Sequence, residues 1–135
     1  MADLAAIIDG LTDNLGTIDK LRVQPEILDT VPIPCAIVGP PTSVTYDEVM
    51  ARGADLYTFT VRVLVARASE RAAQRALFGY TAGTGAKSIK AAIESDKTLG
   101  GAADTVRVTS AGNLGVYGYG DADYLGAEFT VEVIA

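Results

Sequence analysis

Residues 56 to 67 read LYTFTVRVLVAR. Tyr57, Phe59, Val61, Val63 and Val65 alternate with Leu56, Thr58, Thr60, Arg62 and Leu64, and a period of two is the signature of a β-strand with one buried face. The second face is only half polar, so something should cover part of it. Near the C-terminus residues 124 to 134 repeat the pattern. Leu125, Ala127, Phe129, Val131 and Val133 point one way, and Glu128, Thr130 and Glu132 the other. These are the two firmest strands in the chain, and a sheet is built outward from them.

The remaining strands are shorter. Cys35 to Val38 is an apolar run stopped by Gly39-Pro40-Pro41, Val44 to Tyr46 leads toward a turn signal at Arg52-Gly53-Ala54-Asp55, and Thr105 to Ala111 reads as a strand. Leu21 to Val23 suits a short strand, while Pro25, Pro32 and Pro34 oppose regular structure from there to Cys35. Residues 112 to 120, GNLGVYGYG, hold four glycines and predict a long loop rather than a regular element.

Helical periodicity occupies the gaps. Leu4, Ile7, Ile8, Leu11 and Leu15 lie on one helical face, Asp3 suits the N-terminal end of the dipole and Gly16 suits a stop, so a helix is expected over residues 3 to 15. Ser69 and Glu70 open a second helix carrying Ala72, Ala73, Ala76, Leu77 and Tyr80. A short third helix has Ile89, Ala92 and Ile93 facing in, and Leu99-Gly100-Gly101 ends that region. Helices bunched between hairpin-linked strands give an α+β fold, with a mainly antiparallel mixed sheet and helices packed on one face. The length of 135 residues suits a single domain spanning 1 to 135.

Composition narrows the function. The net charge is -6 and no Lys/Arg cluster is present, which argues against adhesive binding to nucleic acid. Histidine is absent, removing the commonest general acid/base. Cys35 stands alone in an apolar run, so it reads as a small core residue and no intrachain disulfide is possible. No apolar run is long enough to span a bilayer, and the acidic start does not resemble a signal peptide, so a cytoplasmic origin is expected.

Two chemical motifs are near misses. GYTAGTGAKSIKAAIE, residues 79 to 94, resembles a phosphate loop, but alignment on Lys87-Ser88 puts Ala86 and Thr81 where glycines are required. A helix-to-helix turn is the better reading, with Gly83 and Gly85 in unusual backbone angles and Thr84 or Ser88 as a cap. Asp121-Ala-Asp123-Tyr-Leu-Gly126 with Glu132 imitates a calcium loop, but Leu125 falls at an oxygen-donating position and a strand follows. Glu128 and Glu132 are about 13 Å apart on an extended strand, too far for a glycosidase pair. No catalytic residue, cofactor or metal is expected, and the chain does not read as an enzyme.

What is left over is surface. Tyr117 and Tyr119, with Tyr124 just beyond, are candidate interface residues on the expected loop, since tyrosine is favoured at protein interfaces. Ile27 and Leu28 in the proline-rich segment have no periodic element to bury them and are candidates for a subunit or partner contact.

The run from Tyr46-Asp47 through Met50-Ala-Arg52-Gly53-Ala-Asp55 into Phe59-Thr-Val61-Arg-Val63-Leu-Val65 resembles the tail terminator proteins of long-tailed bacteriophages. So do Ser88-Ile89, Ile93-Glu94-Ser-Asp96, Thr98-Leu-Gly-Gly101 and Tyr124-Leu-Gly-Ala-Glu-Phe129, in the same order, and the likeness covers roughly residues 20 to 134. The resemblance implies an α+β subunit of a virion, similar to the lambda-type terminator. It implies self-association into a hexameric ring on the tail tube, contacts with the tail tube protein and the head-tail connector protein, and DNA passing through the ring without specific binding. Glu128 and Glu132 are then candidates for channel-facing acids that let DNA slide. A head-tail connector of the same virion is the nearest alternative, and a small α+β ligand-binding module the alternative of a different class.

Overall fold

The computed structural model describes residues 4–18, 21–24, 35–46, 54–67, 73–85, 87–119 and 122–135. The order is α1 (Leu4–Leu15), β1 (Arg22–Gln24), β2 (Cys35–Val38), β3 (Ser43–Thr45), β4 (Leu56–Arg67), α2 (Ala73–Thr81), α3 (Ile89–Ile93), a 3-10 turn (Leu99–Gly101), β5 (Thr105–Tyr119) and β6 (Ala122–Ile134). Six strands form one sheet in the order β1-β2-β4-β6-β5, with β3 also pairing β4. Every pairing is antiparallel except β1 with β2, so the expected mixed, mainly antiparallel α+β sheet is what the chain forms.

The two alternating strands are neighbours at the centre. Phe59 lies opposite Val131, Val61 opposite Phe129 and Val63 opposite Ala127. All six are at most 2% exposed. The period-two apolar residues of β4 and β6 thus form a single wall, and Val106 and Val108 of β5 with Ala36 and Val38 of β2 extend it. Ile7, Leu11 and Leu15 of α1, Leu77 and Tyr80 of α2, and Ile89 and Ile93 of α3 pack on that wall. Burying one such aliphatic or aromatic side chain contributes about 1.5–3 kcal/mol, which makes this layer the main stabilising term.

The ladder between β4 and β6 slips by one residue between Leu64 and Ala66. Val65 is the extra residue, and both Val65 and Ala66 join the helix-side core. Beyond the bulge Arg67 pairs with Tyr124.

The principal departure from expectation lies in residues 112 to 120, read from the sequence as a loop. β5 continues without interruption through Tyr119, and Gly115, Val116 and Tyr117 pair with Gly126, Leu125 and Tyr124. The ladder shifts register between Val108 and Ser110 and between Gly112 and Gly115, and Asn113 takes a φ of 51°. The glycines and Asn113 therefore accommodate a bulged strand. Tyr119 pairs with Ala122 at the end of the ladder.

The smaller elements follow their sequence signals. The helix expected over 3 to 15 spans Leu4–Leu15, with residue 3 outside the described residues, as are Ser69 to Ala72 ahead of α2. Ser88 caps α3 by accepting a hydrogen bond from Ala91 N at 3.1 Å, and its hydroxyl donates to Ala82 O at 2.5 Å. Gly85 takes a φ of 112°, but Gly83 needs no positive φ. Lys87 is exposed, with its ammonium 5.9 Å from the Tyr80 ring centre. The apparent phosphate loop is a capped turn.

Two residues dock α1 onto the rest of the helical layer. Asn14 Nδ2 donates to Ile93 O at 2.8 Å and to Asp96 O at 3.0 Å, and Asn14 is only 8% exposed. Gly10 meets the turn at Leu99, which is held at φ 50°. A Cβ on Gly10 would lie 2.6 Å from Leu99 Cβ and 2.9 Å from Leu99 O. Substitution Gly10→Ala is therefore expected to lose about 1–3 kcal/mol despite alanine's better helix propensity, because the overpacked contact has backbone on its far side. Urea unfolding checks this, and an unchanged or raised midpoint would refute the close packing of α1 on the turn.

Candidate interaction surface

Among the described residues, the helices all pack on one face of the sheet and none covers the other. On it β4 presents Thr58, Thr60 and Arg62, β6 presents Glu128, Thr130 and Glu132, and β5 presents Arg107 and Gly112. Strand alternation alone places these residues, and register decides which of them meet. Arg62 lies opposite Glu128 and donates from Nη2 to Glu128 Oε2 at 2.9 Å. Asn113, carried by the bulge in β5, donates from Nδ2 to Glu128 Oε1 at 2.8 Å. Tyr117 donates its hydroxyl to Asn113 O at 2.6 Å, and the Arg62 guanidinium sits 4.8 Å from the Tyr117 ring centre.

Gly126 makes room for this arrangement. A Cβ there would come 2.3 Å from Val63 O and 3.3 Å from Tyr117 Cδ2, so any side chain would clash with the β4 backbone and press on the ring. Hydrogen bonds from Asn113 and Arg62 hold the Glu128 carboxyl below the ordinary glutamate value of 4.5, against a smaller opposing effect of burial.

A small apolar cluster adjoins the network on the same face. Cys35, Ile37, Leu64 and Tyr124 are buried together, with Tyr117 packed against them. This is the cover that the half-apolar second face of β4 required. Burial pushes the Cys35 thiol up, against a weaker lowering by the Leu64 backbone, so its nucleophilic thiolate is scarce.

The candidate interface tyrosines lie on paired strands and not on a loop. Tyr117 is half-buried and faces Tyr124 across the ladder, and Tyr124 is 8% exposed and belongs to the subunit's own core. Tyr119 is the last residue of β5, opposite Ala122. Ile27 and Leu28 lie outside the described residues. Glu128 and Glu132 share the helix-free face as expected, but each stands opposite an arginine, Glu128 against Arg62 and Glu132 against Arg107. These two acids therefore add little net negative field to that face.

At the start of β5 a cleft of about 430 Å³ is lined by Lys90, Glu94, Lys97, Thr105, Val106, Arg107, Glu132 and Ile134. Glu94 Oε2 accepts from Lys90 Nζ at 2.5 Å and from Val108 N at 3.0 Å. Burial raises the Glu94 carboxyl, but Lys90, the Val108 amide and Lys97 together outweigh it and leave it below its ordinary value. Lys90 and Glu94 form an ion pair on one wall of this cleft, and Lys97, Arg107 and Glu132 line the rest of it.

Arg62 and Asn113 were not singled out from the sequence. Arg62 had a usable signal, a charge on the outward face of a strand whose antiparallel partner carries Glu128. Asn113 had another, since Gly112-Asn113 within a strand pattern marks a bulge. No protein-family model matches the chain, and no curated protein matches it significantly. Among the described residues no helix is long and apolar enough to cross a membrane, and no group of three His, Cys, Asp or Glu side chains could hold a metal ion.

The Glu128 network has a pH signature. Its folded pKa lies below the unfolded one, so its stabilisation is complete above about pH 4.5 and is lost as pH falls through the folded value. Substitution Glu128→Gln is expected to cost about 1 kcal/mol or less at pH 7, given a partly exposed pair. The gap from wild type should narrow progressively as pH falls below about 4.5. Chemical denaturation at pH 7 and over this acid range measures it, and a gap that widens in acid would contradict the assignment.

Proposed function

We propose that this chain is a structural virion subunit, a tail terminator of a long-tailed bacteriophage that assembles as a ring on the tail tube. In this reading it ends tube polymerisation and provides the surface that joins the head connector. One observation carries the proposal. Two of the segments that resemble such proteins, Phe59 to Val65 and Tyr124 to Phe129, are hydrogen-bonded neighbours at the centre of the sheet. Segments far apart in sequence that resemble one family are thus joined in one structural unit.

Other features agree with a building-block role. The chain is acidic, and its most elaborate side-chain network ties one sheet face together without converging on an open pocket. A ring around DNA needs a wall that does not grip phosphate, and a net charge of -6 supplies that. Glu128 and Glu132 remain the proposed channel-facing acids. Because Arg62 and Arg107 stand opposite them, most of the repulsion of DNA falls to other carboxylates of the chain.

Loss of the protein separates the terminator from the connector of the same virion. A terminator is expected to leave tails of uncontrolled, excessive length when it is missing. Normal-length tails that fail to join heads would assign the chain to the connector instead. Tails of normal length already attached to heads would remove both readings.

A further inference from the structure

We infer that the outer part of β5 is a self-pairing edge, at which residues 115–119 of one copy align antiparallel with the same residues of a second copy. β5 ends the sheet, and among the described residues its open side is guarded only near its start. There Arg107 supplies a charge and Glu94 takes the outward-pointing N–H of Val108. From Val108 to Tyr119 no residue is charged, in a chain of net charge -6. Exposed strand edges are commonly protected by charge, proline or bulges. Beyond the bulge at Asn113, residues 115–119 have regular pairing with β6 and none of these guards.

Hydrogen-bond direction identifies the groups that face outward. Ile134 O accepts from Asp104 N at 2.8 Å, so the even-numbered residues of β6 direct their main-chain groups toward β5. Gly115, Tyr117 and Tyr119 face Gly126, Tyr124 and Ala122 and are therefore engaged with β6. Val116 and Gly118 direct their N–H and C=O groups to the open edge, where no described residue meets them. A two-fold axis through Tyr117 sets Val116 of one copy against Gly118 of the other, and each pair exchanges two hydrogen bonds. The side chain of Val116, 60% exposed in the single chain, then lies over the glycine of its partner. Uncharged segments meet, so the acidic character of the chain does not oppose them, and a symmetric contact requires no second surface.

The inference does not depend on the terminator reading, and a two-fold contact of this kind describes the free protein and opens before subunits join head to tail in a ring. Its test is sedimentation of the full chain over a concentration series, for wild type, Gly118→Pro and Val116→Lys. Proline at 118 removes an outward N–H and leaves the β6 side of the ladder intact. Lysine at 116 adds the charge that guards natural edges. The expected result is a concentration-dependent dimer whose dissociation constant rises at least tenfold in both variants, with circular dichroism unchanged. Wild type that stays monomeric throughout, or self-association of any size that neither variant weakens, overturns the inference. Binding of Gly118→Pro to purified tail tubes reports separately on the ring reading.

Discussion

The antiparallel ladder between β4 and β6 is the contact on which the rest of the molecule depends. It runs from Leu56 opposite Ile134 to Arg67 opposite Tyr124. Because side chains alternate, this one register sets both faces at once. It joins Phe59, Val61, Phe129 and Val131 into the wall that the helices cover, and it brings Arg62 onto Glu128 on the opposite face. A slip of one residue would turn both sets over, exposing the phenylalanines and burying the charges. The apolar and ionic patterns therefore select the same alignment.

Much of this was legible in the residues. The alternation in 56 to 67 and 124 to 134 identified the central strands and their inward faces, and the spacing of Leu4, Ile7, Leu11 and Leu15 identified α1. Ser88 was readable as a cap because its hydroxyl precedes a short apolar helix. Less legible was the outer part of β5. Its glycines suggested a loop because glycine weakens an isolated strand, whereas here Gly126 and Gly115 face each other across the ladder and allow Tyr117 to lie over the sheet. Tertiary packing overrode local preference. The Gly10–Leu99 contact and the reach of Asn14 to Ile93 and Asp96 join segments far apart in sequence, which local periodicity does not encode.

The candidate surface was legible in part, for a related reason. Alternation placed Glu128 and Glu132 together on the helix-free face. It did not reveal that Arg62 and Arg107 stand opposite them, because that depends on register. The pairing converts a supposed acidic strip into a nearly balanced one and gives Glu128 a structural partner. Tyr124 changes role in the same way, since its ring belongs to the cluster of Cys35, Ile37 and Leu64. Among the described residues, the helix-free sheet face and the outer edge of β5 are what the helices leave uncovered.

The proposed account, a ring subunit on a tail tube, fits one continuous sheet whose described helices pack on one side. Electron microscopy of purified tail tubes mixed with the protein tests that account most directly. It predicts ring-shaped density capping tube ends, with no further tube subunits added afterwards. Bare tube ends that go on elongating in excess protein would contradict it.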